Sequence, residues 1–457
     1  MNTTIAAIST AVSASGIGII RISGPEAMDI ISRIYRSKGG KKKIKEVPTH
    51  TIHYGYIYDG EEVVDEVLVM VMRAPKTFTG EDTVEIDCHG GVYAMNRVLE
   101  TVLKNGAKIA GPGEFTKRAF LNGRLDLSQA EAVMDVIQAK NEYALKSSMS
   151  QLKGSVPKTI KEIRDELLYE IAFIESALDD PEHISLDGYP QKLQEIVEKE
   201  QKSIEELLKT SADGKIIREG IKTVIVGKPN AGKSSLLNLL VGENKAIVTD
   251  IEGTTRDILE EYITLHGITL KIVDTAGIRE TEDVVEKIGV TRAREAAKDA
   301  DLILYVVDSS TPLDENDEEI IELLEGRKAI VLYNKTDLAP AVDQKELERK
   351  IGHPVIPVSA KEETGVTQLA DTIREMFFSG KISFNDEVYI TNARHKEALE
   401  EALQSLEMVM RSIEDGMPED FFSIDLMAAY ASLGKITGEE VGEDLVNEIF
   451  AKFCMGK

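Results

Sequence analysis

The stretch Gly227-Lys228-Pro229-Asn230-Ala231-Gly232-Lys233-Ser234 constrains the fold of this chain more than any other feature. It follows an apolar, β-branched run, Lys222–Val226, and precedes a helical run, Ser235–Leu240. That is GxxxxGKS between a strand and a helix, a loop built to cradle phosphate. Its glycines let backbone N–H groups approach the anion, and the helix N-terminus adds positive potential. Further strand-like runs follow at Thr269–Val273, Leu302–Val307, Ala329–Tyr333 and Val355–Val358. Helical stretches separate most of them. Short aliphatic strands alternating with helices predict a mostly parallel, doubly wound sheet covered on both faces.

Three more motifs stand at the ends of these strands, in order. Lys233 is placed to neutralise β- and γ-phosphates, and Ser234 carries the hydroxyl that holds Mg2+. Asp274-Thr275-Ala276-Gly277 follows one strand: the carboxylate can hold the Mg2+ shell, and the Gly277 N–H can reach a γ-phosphate. Asn334-Lys335-Thr336-Asp337 follows another. A carboxylate there accepts two hydrogen bonds from guanine, which adenine cannot supply, so Asp337 argues for GTP over ATP. Ser359-Ala360-Lys361 supports the guanine oxygen. Between the first two motifs lies Gly253-Thr254-Thr255-Arg256-Asp257. The set resembles Ras-like GTPases over residues 216–378. That resemblance makes Thr255 a second Mg2+ ligand, and Arg256 either an arginine finger or a solvated side chain. Ile278 stands where Ras-like proteins carry the water-orienting glutamine. An isoleucine cannot position water, so hydrolysis is slow or another group does this work.

The rest of the chain reads differently. At ~100–200 residues per domain, 457 residues suggest about three domains. Residues 1–118 mix strand-like runs, Val67–Met72 and Thr83–Asp87, with turns at Gly39–Gly40, Asp59–Gly60 and Gly90–Gly91. Residues 119–215 turn helical. Ser128 with Glu131 reads as a capping box, and Ala130, Val133, Met134 and Ile137 share one helix face. Leu167, Ile171 and Ile174 mark a second helix, ended by Asp179-Asp180-Pro181, and Ser211–Gly214 reads as a linker. Residues 216–379 form the nucleotide-binding unit. Residues 380–457 are helical and acidic, with 7 Lys/Arg against 16 Asp/Glu, and are expected to pack with the 119–213 helices. The nucleotide-binding unit is then an insertion in a helical domain.

Net charge excludes some functions. It is −26, so a basic nucleic-acid coat is ruled out, although a local basic site is not. Within the first 50 residues there are 8 Lys/Arg and 3 Asp/Glu, the most positive zone of the chain. Its Lys41-Lys42-Lys43 run reads as a solvated loop. Two cysteines, Cys88 and Cys454, cannot build a disulfide framework and fit a reducing compartment. No apolar run approaches the ~20 residues of a membrane span, and the N-terminus reads as a strand, not a signal peptide. The expectation is a cytoplasmic protein with no stable membrane insertion.

Several segments together resemble the MnmE (TrmE) family of tRNA-modification GTPases over essentially the whole chain. They are Gly16–Gly24, Phe78-Thr79-Gly80-Glu81-Asp82, His89-Gly90-Gly91, Gly111–Thr116 with Arg118–Arg124, Gly253–Asp257, and the ending Phe453-Cys454-Met455-Gly456-Lys457. The resemblance implies an α+β N-terminal folate-binding and dimerisation domain, a split helical domain and an inserted Ras-like G domain, an α/β plus α architecture. It implies a homodimer working on tRNA with the flavoprotein MnmG, as a heterotetramer. The pair would install an aminomethyl or carboxymethylaminomethyl group at carbon 5 of the wobble uridine. The one-carbon unit would come from a formyl- or methylene-tetrahydrofolate.

Site residues follow from the same resemblance. GTP contacts are implied for Asn230, Ala231, Gly232, Lys233, Ser234, Ser235, Thr249, Asp250, Ile251, Glu252, Gly253, Thr254, Thr255, Asp274, Thr275, Ala276, Gly277, Asn334, Lys335, Asp337, Ser359, Ala360 and Lys361. A potassium ion held by oxygens of Asn230, Thr249, Ile251 and Thr254 would substitute for an arginine finger. Glu286 would activate water in place of the missing glutamine. Folate would be held by Arg21, Glu81, Arg124 and Lys457, and Cys454 is either a buried structural thiol or a thiol in the modification chemistry. Two other readings use the same motifs: a GTP-dependent RNA or ribosome-assembly switch, and an aminomethyltransferase with a regulatory G domain. The first leaves Arg21, Glu81 and the Phe453–Lys457 ending unexplained.

Overall fold

The computed structural model describes residues 3–40, 43–243, 261–273, 297–378, 389–454 and 456. The chain forms two compact units. One comprises Met1–Met134, Gln151–Glu195 and Gln404–Lys457; the other comprises Asp135–Ser150 and Ile196–Leu403.

The first unit opens with β1 (Ile5–Ile8), β2 (Ile17–Ser23), α1 (Ala27–Ile34), β3 (Tyr35–Ser37), β4 (Thr51–Asp59), β5 (Glu62–Met72), β6 (Thr83–His89), α2 (Val92–Lys104), β7 (Lys108–Ile109) and α3 (Glu114–Leu121). The strands make one sheet in the order β3-β4-β5-β6-β2-β1-β7. Only β1–β7 is parallel among its pairs. Alternation sets its faces. Ile20, Ile22, Val67, Val69, Val71, Val84 and Ile86 point into a core closed by Ile30, Ile31, Met95 and Val98 of α1 and α2. Both expected strands are present within β5 and β6, and Gly60, at φ +67°, turns β4 into β5.

Helices follow: α4 (Leu127–Gln138), α5 (Glu142–Leu152), α6 (Ser155–Asp179) and α7 (Tyr189–Glu219). In α6, Val156, Ile160, Ile163, Leu167, Ile171 and Ile174 are buried at helical spacing. The cap of α4 differs from expectation. Asp126 Oδ1 accepts from the Gln129 N–H at 2.9 Å, and the Asp126 N–H donates to Gln129 Oε1 at 3.1 Å. Asp126 and Gln129 are the capping box, and Ser128 sits inside the helix with its hydroxyl on Asp126. Aspartate caps as well as serine, and it stands two residues earlier. The Ser211–Gly214 stretch is not a linker either: α7 runs straight through it. There Gly214 lets the backbone of Ile390 come close, since a Cβ at 214 would lie 2.4 Å from the Ile390 oxygen. Packing overrides the low helix propensity of glycine.

The second unit adds β8 (Ile221–Val226), α8 (Lys233–Glu243), β9 (Glu261–Leu265), β10 (Ile268–Val273), β11 (Leu302–Asp308), α9 (Glu315–Leu324), β12 (Ala329–Asn334), α10 (Gln344–Ile351), β13 (Val355–Pro357) and α11 (Val366–Phe377). The sheet order is β13-β12-β11-β8-β10-β9, parallel except for the β9–β10 hairpin. All seven residues of β11 are buried, as a central parallel strand requires. Separate apolar clusters cover the two faces, one around Leu236, Leu240, Ile330 and Ile373, the other around Tyr305, Ile320, Val331 and Leu347. The doubly wound expectation holds.

The chain ends with α12 (Ala393–Glu414), α13 (Glu419–Thr437) and α14 (Glu443–Ala451). Helix α13 packs along α6. Arg164 of α6, buried, pairs with Glu439 at 2.6 Å and lies 4.1 Å from the Tyr430 ring centroid. The acidic end of the chain therefore returns to the earlier helices of its own unit, as expected.

Candidate functional site

Strand β8 lies between β11 and β10, so the chain's crossovers leave it in opposite directions. The loop after such a strand opens into a crevice at the sheet's C-terminal edge. Gly227 leaves β8 at φ +155°, Asn230 takes φ +61°, and Gly232 takes φ +98°. A Cβ on Gly232 would stand 2.2 Å from Asn334 Nδ2, so glycine is required there for space as well as for backbone angle. Lys233 opens α8 and folds its ammonium back, donating to the Gly227 and Lys228 carbonyls at 2.7 Å each. Burial pushes the Lys233 pKa below the usual lysine value.

The loops that follow β12 and β13 interlock with this cradle. Asn334 Nδ2 donates to the Ala231 carbonyl at 2.9 Å, and Asn334 Oδ1 accepts from the Ala360 N–H at 3.4 Å. Ser359 Oγ donates to Asp337 Oδ1 at 2.9 Å, and Lys361 Nζ stands 3.8 Å from Asp337 Oδ2. These contacts fix the Asp337 carboxylate. Lys335, at φ +64°, reaches Asp308 at 2.5 Å. Desolvation raises the Asp308 pKa, but hydrogen bonds from Lys335 and Ser310 outweigh it and hold the carboxyl below its ordinary value. The structure thus brings together Asn230–Ser235, Asn334, Lys335, Asp337 and Ser359–Lys361. Thr249–Thr255, Asp274–Gly277, Ile278 and Glu286 lie outside the described residues.

The sequence did not single out Lys228. Its ammonium contacts Asp317 at 2.6 Å and Asp314 at 3.0 Å, and Asp317 is fully buried and also accepts from Tyr305 Oη at 2.7 Å. Asp314 and Asp317 form the capping box of α9. The motif regards Lys228 as a free position, and only the fold shows what anchors it.

A second cluster occupies the N-terminal unit. Arg21 of β2 faces Glu85 across the β2–β6 register and pairs with it at 2.7 Å. Its guanidinium carbon lies 5.7 Å from the Phe78 ring centroid and 5.5 Å from that of Phe115. Arg124 covers Phe78 at 4.9 Å. Two cations on aromatic faces frame a surface suited to a flat, anionic molecule. Glu81 accepts from Ser23 Oγ at 2.8 Å and from Arg118 Nη1 at 3.1 Å. Arg118 is 1% exposed and also meets Glu114 one helical turn back, at 2.9 Å. The Gly456 carbonyl accepts from Ser9 Oγ at 3.1 Å and from Arg21 at 3.4 Å. Gly113, at φ +62°, admits Phe453 and donates its N–H to the Cys454 carbonyl at 3.2 Å. So the chain's end is docked beside Arg21, although Lys457 itself lies outside the described residues.

The structure unites Arg21, Glu81 and Arg124, and adds Phe78, Glu85, Phe115 and Arg118, to which the sequence reading gave no site role. The i,i+4 pair Glu114–Arg118 was a readable signal for Arg118. Cys454 is exposed. Cys88 is buried, and burial pushes its thiol up to about 12, which leaves it unreactive at neutral pH. Among the described residues no cluster of His, Cys, Asp or Glu has the makings of a metal site, and no helix is long and apolar enough to cross a membrane.

Comparison with known proteins covers the whole chain. The family model for the MnmE helical domain matches residues 127–454, and that for the GTP-binding protein TrmE N-terminus matches residues 4–124. A tRNA modification GTPase MnmE of Lachnoclostridium phytofermentans is 58% identical over 99% of both chains. Those of Geobacillus kaustophilus and Bacillus subtilis are 51% and 48% identical, over 99% of this chain and 99% and 100% of theirs. The solved G domain of the T. maritima FeoB iron transporter aligns at 29% identity over 34% of this chain and 97% of that chain, with a TM-score of 0.26.

Proposed function

The chain belongs to the tRNA modification GTPase MnmE family, and from that premise we propose that its GTP cycle drives modification of the tRNA wobble uridine. In this reading the protein works as a cytoplasmic homodimer with the flavoprotein MnmG. Together they add an aminomethyl or carboxymethylaminomethyl group at carbon 5, using a one-carbon unit carried by tetrahydrofolate. The observation that carries the reading is the cluster of Arg21, Phe78, Glu81, Phe115 and Arg124, which a plain GTP switch does not need. The homodimer has its own support. The sheet face away from α1 and α2 exposes Ile52, Tyr54 and Leu68, with Tyr54 and Leu68 directly paired. Such an apolar patch marks an interaction surface.

Each residue then has a task. Glu81, fixed by Arg118 and Ser23, accepts hydrogen bonds from the pterin. Arg21 and Arg124 hold the ring and its anionic tail, with Lys457. Cys454 is held beside the pocket by the Gly113 contact, in reach of the modification chemistry. In the nucleotide site Lys233 exchanges its carbonyl partners for β- and γ-phosphate oxygens. Its depressed pKa reports burial, which phosphate charge would offset. Asp337 selects guanine. Ser234 and Thr255 would hold Mg2+, and the oxygens of Asn230, Thr249, Ile251 and Thr254 would hold potassium. Oxygen donors suit both hard cations, whose bound charge stabilises the phosphoryl transition state. With Ile278 unable to orient water, Glu286 takes that work.

Titration of 5-formyl-tetrahydrofolate into the full-length protein tests the pocket. Wild type binds it, and Arg124→Ala weakens binding without changing GTP affinity. Absence of binding by wild type overturns the folate assignment. Hydrolysis faster in potassium chloride than in sodium chloride at matched ionic strength supports the potassium cage, and equal rates remove it.

A further inference from the structure

Residues 139–144, the link between α4 and α5 with the first turn of α5, enter the core of the nucleotide-binding unit. Ala144 is 5% exposed and belongs to the same apolar cluster as Ile221, Leu265, Leu270 and Phe378, with Ala139 and Tyr143 packed against it. Asn141 uses both ends of its amide. Oδ1 accepts the Ala144 N–H at 2.7 Å and caps α5, while Nδ2 donates to Thr269 Oγ1 at 2.6 Å. Thr269 is buried in β10. Tyr143 lies against the turn of the β9–β10 hairpin, where Gly267 sits at φ +87°. A Cβ there would come within 2.6 Å of the Tyr143 ring. The Lys140 ammonium covers the ring of Tyr262 in β9. Lys140, Asn141 and Tyr143 therefore grip both strands of one hairpin and its turn.

That hairpin has a singular position in the sequence. β9 begins shortly after Gly253–Asp257, and β10 ends at the residue before Asp274. In the function proposed above, on which this inference rests, these are the two segments whose ligands change when a γ-phosphate is present or lost. A paired hairpin is stiff along its length, so displacement at its open end reaches its turn. We propose that Asn141, with Tyr143, is a positioning residue that ties this hairpin to α5 and passes the nucleotide state into the helices. The bridge acts on coupling, because Asn141 and Tyr143 contact the hairpin and stand outside the phosphate and guanine loops described above. It carries the GTPase cycle into tRNA modification.

Two variants of the full-length protein separate the bridge from the cap. Asn141→Ser keeps a good N-cap but is too short to reach Thr269. Asn141→Asp keeps the cap and accepts from the Thr269 hydroxyl, so the bridge survives with its donor reversed. The readouts are GTP affinity, the single-turnover hydrolysis rate, modified tRNA nucleosides in complemented cells, and hydrogen exchange of Glu142–Leu152 with GDP or a non-hydrolysable GTP analogue. We expect Asn141→Ser to bind and hydrolyse GTP as wild type does, yet to modify tRNA at least about tenfold less, within the 5–150-fold range of coupling energies. Asn141→Asp restores modification. Exchange in α5 differs between nucleotide states in wild type and not in Asn141→Ser. Wild-type modification by Asn141→Ser overturns the proposal. So does a matching loss of GTP affinity or hydrolysis, failure of Asn141→Asp to rescue, or α5 exchange in wild type that ignores the nucleotide.

Discussion

In the nucleotide-binding unit, each described recognition element is a run of consecutive residues at the end of one strand. The phosphate cradle is mostly main chain: Gly227, Asn230 and Gly232 at positive φ, with Lys233 at a helix start. In the N-terminal unit, the cluster draws its side chains from three separate stretches of the chain, Arg21, then Phe78, Glu81 and Glu85, then Phe115, Arg118 and Arg124, with the Gly456 carbonyl. A loop that binds through backbone N–H groups must write its glycines and its turn into local sequence. A pocket that binds through side chains needs only that the sheet and α3 bring them together. The two sites should therefore fail differently when single residues change: the first in affinity or rate, the second in folding as well.

The largest effect is expected at Glu286. Glu286→Ala should bind GTP nearly normally and hydrolyse it on the order of 10²–10⁴-fold more slowly, because water positioning matters only in the transition state. Single-turnover kinetics in saturating potassium measures this. A wild-type rate would move the assignment to a neighbouring carboxylate such as Glu282 or Asp283.

Arg118→Met should break the N-terminal site by another route. Glu81 and Glu114 would lose the cation that neutralises both. The cost should be about 3 kcal/mol, the lower end for a broken buried pair, because both carboxylates keep some solvent. Hydrogen exchange of the N-terminal sheet is the readout, with GTP affinity unchanged. Protection equal to wild type would show that Arg118 merely fills space.

Asp337→Asn sharpens the contrast at the nucleotide. One charge-assisted pair with guanine is lost, so GTP affinity should fall by ~1.5–3 kcal/mol while xanthine nucleotides gain. Competition binding with GTP, XTP and ATP decides it. Equal affinity of the wild type for ATP and GTP would contradict the guanine assignment.

The smallest effect is a pH dependence at Asp308. Its folded pKa lies below the ordinary ~3.9, so ionisation stabilises the folded state above that value. The contribution is lost as pH falls through the lowered folded pKa. The stability gap between wild type and Asp308→Asn, from urea unfolding, should narrow as pH drops from 5 to 3. A gap that stays constant would mean that Lys335 does not hold this carboxylate.

How much was readable follows the same division. GxxxxGKS put Lys233 at the start of a helix after a glycine turn, where the structure has it, because that spacing is a backbone requirement, and Asp337 follows the end of its strand. Lys228 was missed because its partners, Asp314 and Asp317, belong to the cap of a distant helix. Arg21, Glu81 and Arg124 came from whole-chain resemblance, whereas the place of the Phe78 and Phe115 rings beside Arg21 appeared only once β2, α3 and the loop before β6 were folded together. The α4 cap was misplaced because two capping boxes overlap in sequence and the earlier one forms. Gly214 misled because a glycine tolerated for close packing looks like a glycine placed for a turn.

The claim that both sites serve one reaction is most directly tested by mass-spectrometric analysis of tRNA wobble nucleosides. The tRNA would come from cells lacking the protein and complemented with wild type, Asp337→Asn or Glu81→Gln. The carbon-5 aminomethyl or carboxymethylaminomethyl group should vanish without the protein and return fully only with wild type, because each variant disables one site. Wobble uridines that stay fully modified in cells lacking the protein would contradict the account.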